Sequence, residues 1–167
     1  RQSKAMVGGM DEIYGGEDTT GKLWKWTIDL PLGTCLEEQI DDKACDFARI
    51  DDRLVGLKAK NGYAMAINER AETLTFGHHL YKFDLEKNKR LEHCLGDNVF
   101  GGEPIFVPKK SCLSEDKGWV MAIVHDENVD KSKLIIVDTE NFDKKPVGEI
   151  LLPQRVPYGA HGSWLSN

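Results

Sequence analysis

The 167-residue chain is 30% charged and 40% hydrophobic, a composition typical of a folded globular protein rather than a disordered one. Its formal charge of −6 argues against a nucleic-acid partner, since binding to phosphates requires clustered lysines and arginines. No apolar run approaches the ~20 residues that span a bilayer, so no transmembrane segment is predicted.

The start of the chain and its cysteines bear on the cellular location. The chain begins at Arg1 without an initiator methionine, which predicts an upstream part that would also hold any targeting signal. The four cysteines, Cys35, Cys45, Cys94 and Cys112, show no CxxC spacing, which disfavours a zinc or redox site and favours scattered reduced thiols. Because reduced thiols are typical of intracellular proteins, the expected location is cytoplasmic.

Short alternating strands dominate the chain, and helical periodicity is almost absent. Apolar and polar residues alternate over residues 24–30, which predicts a half-buried strand. The Pro31-Leu32-Gly33 turn leads to a second short strand, predicted over residues 35–40. Residues 80–85 repeat the alternating pattern, and residues 91–95 are the predicted returning strand after a turn.

This strand pattern repeats at a nearly constant spacing. A glycine-led apolar strand starts at Gly62 and again at Gly118. A strand that ends in Asp covers residues 80–84 and again residues 134–138. The distance along the chain between these two strands is nearly the same as that between the two glycine-led strands. A four-stranded unit with a period of ~40–50 residues is the signature of a propeller blade, and slightly longer loops would account for the longer period here. The sequence therefore predicts an all-β fold built from β-propeller blades.

The number of blades raises the question of how the propeller closes. A propeller needs about 4–8 blades, whereas this length accommodates about three at most. Either the chain is a portion of a larger propeller, or it assembles with copies of itself. The first alternative is favoured, because an open end would leave strand edges and an apolar blade face uncovered.

Three titratable residues occupy the same place in successive repeats. Asp46, Glu103 and His161 follow one another at almost equal intervals, which match the spacing of the strands. The innermost strand of each blade lines the central channel, so these side chains are predicted to converge there, as a metal or catalytic site requires. The competing interpretation is that the carboxylates cap strand ends, or that Glu103 pairs at the surface with Lys109 or Lys110.

The remaining histidines are weaker candidates for metal ligands. His78 and His79 are adjacent and would point to opposite faces of a strand, so a loop or a strand edge is expected for them. His93 and His125 have acidic neighbours and are predicted to face solvent. No GxGxxG, Walker A or GxSxG sequence is present.

Four segments of the chain form a recognisable pattern: residues 45–51 (CDFARID), 103–108 (EPIFVP), 116–120 (DKGWV) and 153–164 (PQRVPYGAHGSW). Together they resemble the carotenoid cleavage oxygenase family, which includes carotenoid and apocarotenoid oxygenases, stilbene-cleaving dioxygenases and the retinal pigment epithelium isomerase. The resemblance runs from about Leu23 to Trp164, and the order, the spacing and the final His-Gly-aromatic signature make it specific.

The resemblance implies a seven-bladed β-propeller with Fe(2+), iron(II), on its axis, held by four histidines from different blades. Residues 1–167 would then be the C-terminal portion of a single propeller domain, comprising its last two to three blades. His161 matches the last ligand histidine, and the other three would lie upstream. Glu103 and Asp46 match family carboxylates that accept a hydrogen bond from a ligand histidine, but Asp46 is one methylene shorter than the usual Glu, and Ala48 replaces the usual Pro.

The implied activity is insertion of both atoms of dioxygen across a C=C bond of an apolar conjugated alkene, giving two carbonyl products. The substrate would be a carotenoid, an apocarotenoid or a stilbene-like compound. Imidazole ligands suit iron, and carboxylates beside them help to balance its charge. Two alternatives stay open, namely isomerisation at the same iron site and a non-catalytic propeller that binds a partner. The chain alone is expected to be inactive, and any peripheral membrane contact would come from regions outside it.

Overall fold

The computed structural model of the protein describes residues 21–68, 76–159 and 161–165. Within these ranges it contains ten strands in two antiparallel sheets, together with two single 3-10 turns, so the predicted all-β class is confirmed. Residues 1–20 of the predicted domain lie outside the described residues. No helix of the described part of the chain is long and apolar enough to cross a membrane.

The first sheet has the strand order β1-β2-β3-β4-β5, in which each strand pairs with the next along the chain. Its strands are β1 (Lys22–Asp29), β2 (Thr34–Arg49), β3 (Asn61–Ile67), β4 (Phe76–Asp84) and β5 (Lys89–Cys94). The turn before β2, the glycine-led β3 and the β4–β5 hairpin confirm the predicted strand order. We call the last part of β2 together with β3, β4 and β5 the first blade.

Strand β2 is much longer than the predicted strand over residues 35–40. Its first part pairs with β1, with Trp26 opposite Glu37, and its last part pairs with β3, with Cys45 opposite Ala66. The β2–β3 register shifts between Asp46 and Arg49, so the strand is irregular there. One continuous strand therefore joins an outer hairpin to the first blade.

The second sheet, which we call the second blade, has the order β10-β9-β8-β6, and β7 also pairs with β8. Its strands are β6 (Val99–Phe100), β7 (Ile105–Pro108), β8 (Gly118–Asp126), β9 (Lys131–Asp138) and β10 (Gly148–Leu151). Gly118 lies so close to β7 that an added Cβ would clash with the Val107 carbonyl oxygen. Only glycine fits there, which explains why a glycine opens this strand.

The largest apolar cluster of the described residues lies between the two blades. Tyr63 and Leu80 of the first blade pack with Phe106, Val120 and Phe142 of the second. The Tyr63 and Phe106 rings are stacked with their centroids 5.7 Å apart. Full burial of such side chains stabilises the fold by about 1.5–3 kcal/mol each. The blades are thus held face to face by a shared apolar layer.

An ion pair between a buried lysine and a partly exposed carboxylate joins the blades beside this layer. The Lys82 ammonium of β4 is 2.7 Å from an Asp116 carboxylate oxygen and donates to the Thr139 carbonyl oxygen at 2.8 Å. The Tyr63 hydroxyl donates to the same carboxylate at 3.3 Å. A buried lysine is tolerated only with such partners, because an unpaired charge is costly to bury.

The prediction that residues 24–30 form a half-buried strand is wrong about burial. The strand exists, but Ile28 is 64% exposed and Leu30, just after the strand, is 84% exposed. Strand β1 pairs with β2 alone, and no described segment covers the face that carries these side chains. Alternation indicates which residues share a face, but an opposing layer decides whether that face is buried.

Four histidines differ from their predicted environments. His93 and His125 were predicted to face solvent, but each is only 3% exposed. Their Nδ1 atoms lie 3.0 Å from the Phe142 carbonyl oxygen and 3.1 Å from the Ser132 hydroxyl, respectively. Side chains alternate across a strand, so acidic neighbours in sequence say little about the face on which a histidine lies.

His78 and His79 lie within β4 rather than in a loop, and β4 is flanked by β3 and β5 rather than at a sheet edge. The His78 Nδ1 atom is 3.0 Å from the Val99 carbonyl oxygen.

All four cysteines are free thiols, as predicted. Burial, followed by the nearby Asp41 carboxylate, raises the pKa of the Cys45 thiol to about 12, so this group stays protonated.

Candidate metal centre

The segment between β6 and β7 positions the Glu103 side chain at the end of the second blade. Gly102 approaches β8 so closely that an added Cβ would meet the Ile123 carbonyl oxygen at 2.8 Å. Pro104 follows and is fully buried. The Glu103 side chain is only 5% exposed, so its charge depends on partners supplied by the protein.

Three donors from two distant segments converge on the Glu103 carboxylate. The Gly162 backbone N–H donates to Oε2 at 2.7 Å, and the Arg49 guanidinium donates to Oε1 at 3.1 Å. The His161 Nδ1 atom lies 3.2 Å from the same Oε1. Glu103 is thus buried and paired with Arg49 rather than with Lys109 or Lys110 at the surface. The Lys109 ammonium instead lies 3.5 Å from Asp138 and 3.3 Å from Glu140.

The His161 imidazole is held on one side and open on the other. A carboxylate that already receives an arginine and an amide acts as an acceptor, so Nδ1 of His161 carries the proton. The Phe47 ring packs edge-on against the imidazole, with the centroids 5.4 Å apart. The side chain is nevertheless 74% exposed, and the Nε2 atom has no hydrogen-bond partner among the described residues. This tautomer leaves the Nε2 lone pair able to bind a metal.

The segment that carries His161 is anchored to the second blade before it reaches the site. The Val156 N–H donates to the Ser132 hydroxyl at 2.8 Å, and Arg155 donates to Nε2 of His125 at 3.2 Å. The Tyr158 hydroxyl donates to Glu127 at 3.1 Å. The buried His125 therefore contacts this segment but is not one of the groups that bind the Glu103 carboxylate.

Asp46 lies near the site, but its carboxylate has a local partner. Its Oδ1 accepts from the Phe47 N–H at 2.7 Å, and no described imidazole is within hydrogen-bond distance of it. Phe47 has a φ of 53°, a left-handed conformation that is uncommon for an aromatic residue. The role predicted for Asp46, accepting from a ligand histidine, stays a prediction.

Sequence reasoning missed the part that Arg49 plays in the site. Its guanidinium contacts Glu103, the Gly162 carbonyl oxygen at 3.2 Å and both Asp52 carboxylate oxygens at 3.1 and 3.2 Å. The available signals were its place in the family-like segment 45–51 and its closeness in sequence to Asp52. Neither signal reveals the contacts with residues of the second blade and of the segment that carries His161.

An apolar cavity of about 370 Å³ opens beside the His161 and Glu103 side chains. It is lined by β7 and β8 of the second blade and by the segment that follows β10, with Ile105, Met121 and Trp164 among the lining residues. Apolar walls with a few polar groups at one place are typical of sites for small apolar ligands. The sequence did not predict this cavity.

A metal ion needs more ligands than the described part of the chain brings together. Within it, no group of three or more His, Cys, Asp or Glu side chains could hold a metal ion. His78, His79, His93 and His125 lie in the sheets, and none of them forms such a group with His161, although His125 lines the same cavity. His161 could therefore supply one ligand, but the described residues do not assemble a metal site around it.

Known proteins share this arrangement of strands. A family model described as retinal pigment epithelial membrane protein, RPE65, matches residues 2–166. The chain belongs to this family. Its relatives include the apocarotenoid-15,15'-oxygenase of Synechocystis, 28% identical over 86% of this chain and 29% of that protein. The carotenoid cleavage oxygenase of Mycobacterium tuberculosis H37Rv is 32% identical over 89% of this chain and 30% of that protein.

Solved structures of the Synechocystis protein, named ACO, superpose on the described strands. The cobalt-substituted form gives a TM-score of 0.82 at 27% identity and covers 89% of this chain and 31% of that chain. A chimera of ACO and RPE65 gives a TM-score of 0.80 at 26% identity. The predicted family and the predicted β-propeller class are therefore confirmed. The chain spans less than a third of these relatives' length.

Proposed function

We propose that this chain contributes one imidazole ligand, His161, to an iron(II) centre of a carbon–carbon double-bond-cleaving dioxygenase. The observation that carries the proposal is the buried Glu103 carboxylate, which accepts from Nδ1 of His161 and leaves Nε2 open. The names of the relatives support the reaction class, since they are an apocarotenoid-15,15'-oxygenase and a carotenoid cleavage oxygenase.

The residues of this chain fit one of the four ligand positions of a four-histidine site. Histidine is a common iron ligand, and a carboxylate on the far ring nitrogen fixes the tautomer and raises the basicity of the nitrogen that binds the metal. The existence of a cobalt-substituted ACO structure supports a divalent metal in this family. When bound, iron(II) would supply the activation of dioxygen that the side chains cannot provide themselves.

The other groups of the chain hold the ligand and shape an apolar space. The Gly162 N–H and the Arg49 guanidinium keep the Glu103 carboxylate oriented. The cavity beside His161 supports an apolar conjugated alkene as substrate, because its lining would exclude water from the double bond. Both atoms of dioxygen would be inserted across that bond, giving two carbonyl products from a carotenoid, an apocarotenoid or a stilbene-like compound.

We also propose that residues 1–167 act as the C-terminal portion of a single, larger propeller domain. The binding free energy from one imidazole ligand does not compensate for the conformational entropy that is lost when a metal site forms. The remaining ligands and the activity would therefore require the whole propeller. The chain alone would neither retain iron nor cleave an alkene.

The test compares the product of the full open reading frame with residues 1–167 alone. Both are dialysed against a chelator, supplied with ferrous iron, and incubated with an apocarotenoid under ¹⁸O₂. We expect the intact protein to hold about one iron and to give two labelled carbonyl products, and the short chain to do neither. Isomerised substrate without label would indicate the isomerase, and an intact protein that holds no iron would indicate a non-catalytic propeller.

A further inference from the structure

Arg49 connects three separate parts of the chain at the place where His161 is held. It ends β2 of the first blade, whereas Glu103 precedes β7 of the second and Gly162 follows the imidazole. One guanidinium nitrogen, Nη1, donates both to Glu103 Oε1 at 3.1 Å and to the Gly162 carbonyl oxygen at 3.2 Å. The other, Nη2, donates to both oxygens of Asp52.

These contacts close a ring around the residue that follows the imidazole. The Gly162 N–H is bound by Glu103, the Gly162 carbonyl oxygen is bound by Arg49, and Arg49 is bound to Glu103. Both backbone groups of Gly162 are therefore fixed. Gly162 also lies close to Ile105, since an added Cβ would be 2.9 Å from its Cδ1 atom.

We infer that Arg49 is a positioning residue for the metal centre: it orients the Glu103 carboxylate and the backbone after His161, and through them the imidazole. The inference rests on the proposed function, because the imidazole has a task only as a ligand. Arg49 makes no hydrogen bond with the imidazole and does not line the apolar cavity. Its effect passes through the two groups that it holds.

The chemistry of the side chain explains why an arginine suits this place. The side chain is 23% exposed, and its planar fork meets Glu103 and Gly162 from one nitrogen and Asp52 from the other. A lysine ammonium is a compact point charge on a flexible stem and cannot meet this set of acceptors with one rigid geometry. Arg49→Lys therefore separates the contribution of charge from that of geometry.

A second arginine nearby provides a matched control. Arg53 contacts the Asp51 carboxylate at 2.6 Å and donates to the Cys112 carbonyl oxygen at 2.7 Å, so it too joins a carboxylate to a backbone carbonyl across the blades. It has no contact with Glu103 or with the described part of the segment that carries His161. Substitution of either arginine removes comparable contacts, but only one of them touches the site.

The experiment uses the full-length protein with Arg49→Gln, Arg49→Lys, Arg53→Gln and Arg53→Lys. Cobalt(II) affinity is measured by chelator competition, and the absorption spectrum of bound cobalt reports the coordination geometry. We expect Arg49→Gln to weaken cobalt binding by about 10–100-fold and to change the spectrum, as loss of groups that orient a ligand typically does. Arg49→Lys should recover part of the affinity but not the spectrum, and both Arg53 variants should bind cobalt like the wild type.

Hydrogen exchange of a peptide that contains Gly162 gives a readout that does not need the metal. Loss of the hydrogen bonds that join Arg49, Glu103 and Gly162 should speed exchange of the Gly162 amide in Arg49→Gln but not in Arg53→Gln. Equal cobalt affinity and equal exchange in these two variants would overturn the inference. If the wild-type protein bound no cobalt, the proposed function would fail, and the exchange data alone would decide whether Arg49 fixes this backbone.

Discussion

Asp46 and Glu103 occupy matching places in the sequence repeat, yet their carboxylates have different partners. Glu103 binds donors from the first blade and from the segment that carries His161. Asp46 accepts from the N–H of its own neighbour, Phe47. The comparison teaches that the sequence repeat indicates which strand carries a carboxylate residue. The length of the side chain and the local backbone conformation decide which groups the carboxylate contacts.

The residues beside Asp46 contact the site instead. Phe47 packs its ring against His161, and Arg49 binds Glu103 and Gly162. The positive φ of Phe47 and the register shift of β2 occur in the same short stretch. The first blade therefore supports the imidazole through an aromatic ring and a guanidinium, and the second through a carboxylate.

The largest effect is expected from His161→Ala in the full-length protein, which should abolish iron retention and alkene cleavage. In the four-histidine centre that we propose, loss of one ligand would change the coordination outright. The side chain is 74% exposed, so the free energy of unfolding should change by only about 0.5 kcal/mol or less. Iron content, product formation and urea unfolding are measured together. His79→Ala is the control, and equal loss of activity in both variants would show that the wrong histidine has been chosen.

A smaller effect is expected from Glu103→Gln, which keeps the shape but replaces the charged acceptor by a neutral amide. Iron affinity and turnover should fall by about 10–100-fold, because Nδ1 of His161 loses its charged partner. Chelator competition and steady-state kinetics measure the two quantities. Wild-type iron affinity in this variant would contradict the role given to the carboxylate.

The matching substitution in the first blade, Asp46→Asn, tests the comparison directly. We expect a loss of iron affinity at or below the lower end of that range, about tenfold, because one carboxylate oxygen already accepts from the Phe47 amide. Asp46→Glu restores the longer side chain usual in the family and should bind iron at least as tightly as the wild type. A loss from Asp46→Asn as large as that from Glu103→Gln would show that the two carboxylates are equivalent after all.

The smallest effect is expected from His93, an imidazole of the first blade that lies away from the site. Burial lowers the pKa of His93 below its usual 6.5, so the unfolded chain takes up a proton at a higher pH than the folded one. The contribution of His93 to stability is therefore complete above about pH 6.5 and declines as the pH falls, by at most about 1.4 kcal/mol per pH unit.

His93→Gln should reduce this pH dependence between pH 7.5 and 5.5 and leave iron content at pH 7.5 unchanged. Urea unfolding at several pH values gives the slope of the free energy of unfolding for each protein. His78→Gln, a substitution within β4, serves as the comparison. An unchanged slope in His93→Gln would mean that the buried imidazole is not the titrating group.

The sequence predicted the strands well where local chemistry decides them. The glycine-led strands at Gly62 and Gly118 and the turn at residues 31–33 follow from backbone conformation and from alternation, which neighbours in sequence determine. The repeat also indicated that Glu103 and His161 start from corresponding places in successive units. These signals are local or periodic, so a single sequence contains them.

Burial and long-range partners could not be predicted in the same way. His125 has acidic neighbours but is buried, because the second blade and the segment near Arg155 enclose it. Ile28 alternates like a half-buried residue but is exposed, because no described layer lies against it. An opposing surface decides each case, and strand periodicity carries no information about that surface.

The sequence by itself determined the all-β class and the blade repeat, and it predicted that Glu103 accepts a hydrogen bond from His161, as the structure shows. Only the tertiary structure decided that Asp46 accepts from its own neighbour Phe47 and that Arg49 closes a ring of hydrogen bonds with Glu103 and Gly162. The physical reason is that spacing along the chain indicates only the strand on which a residue lies. A hydrogen bond depends on differences in position of less than about 1 Å, and the packing of whole blades decides these.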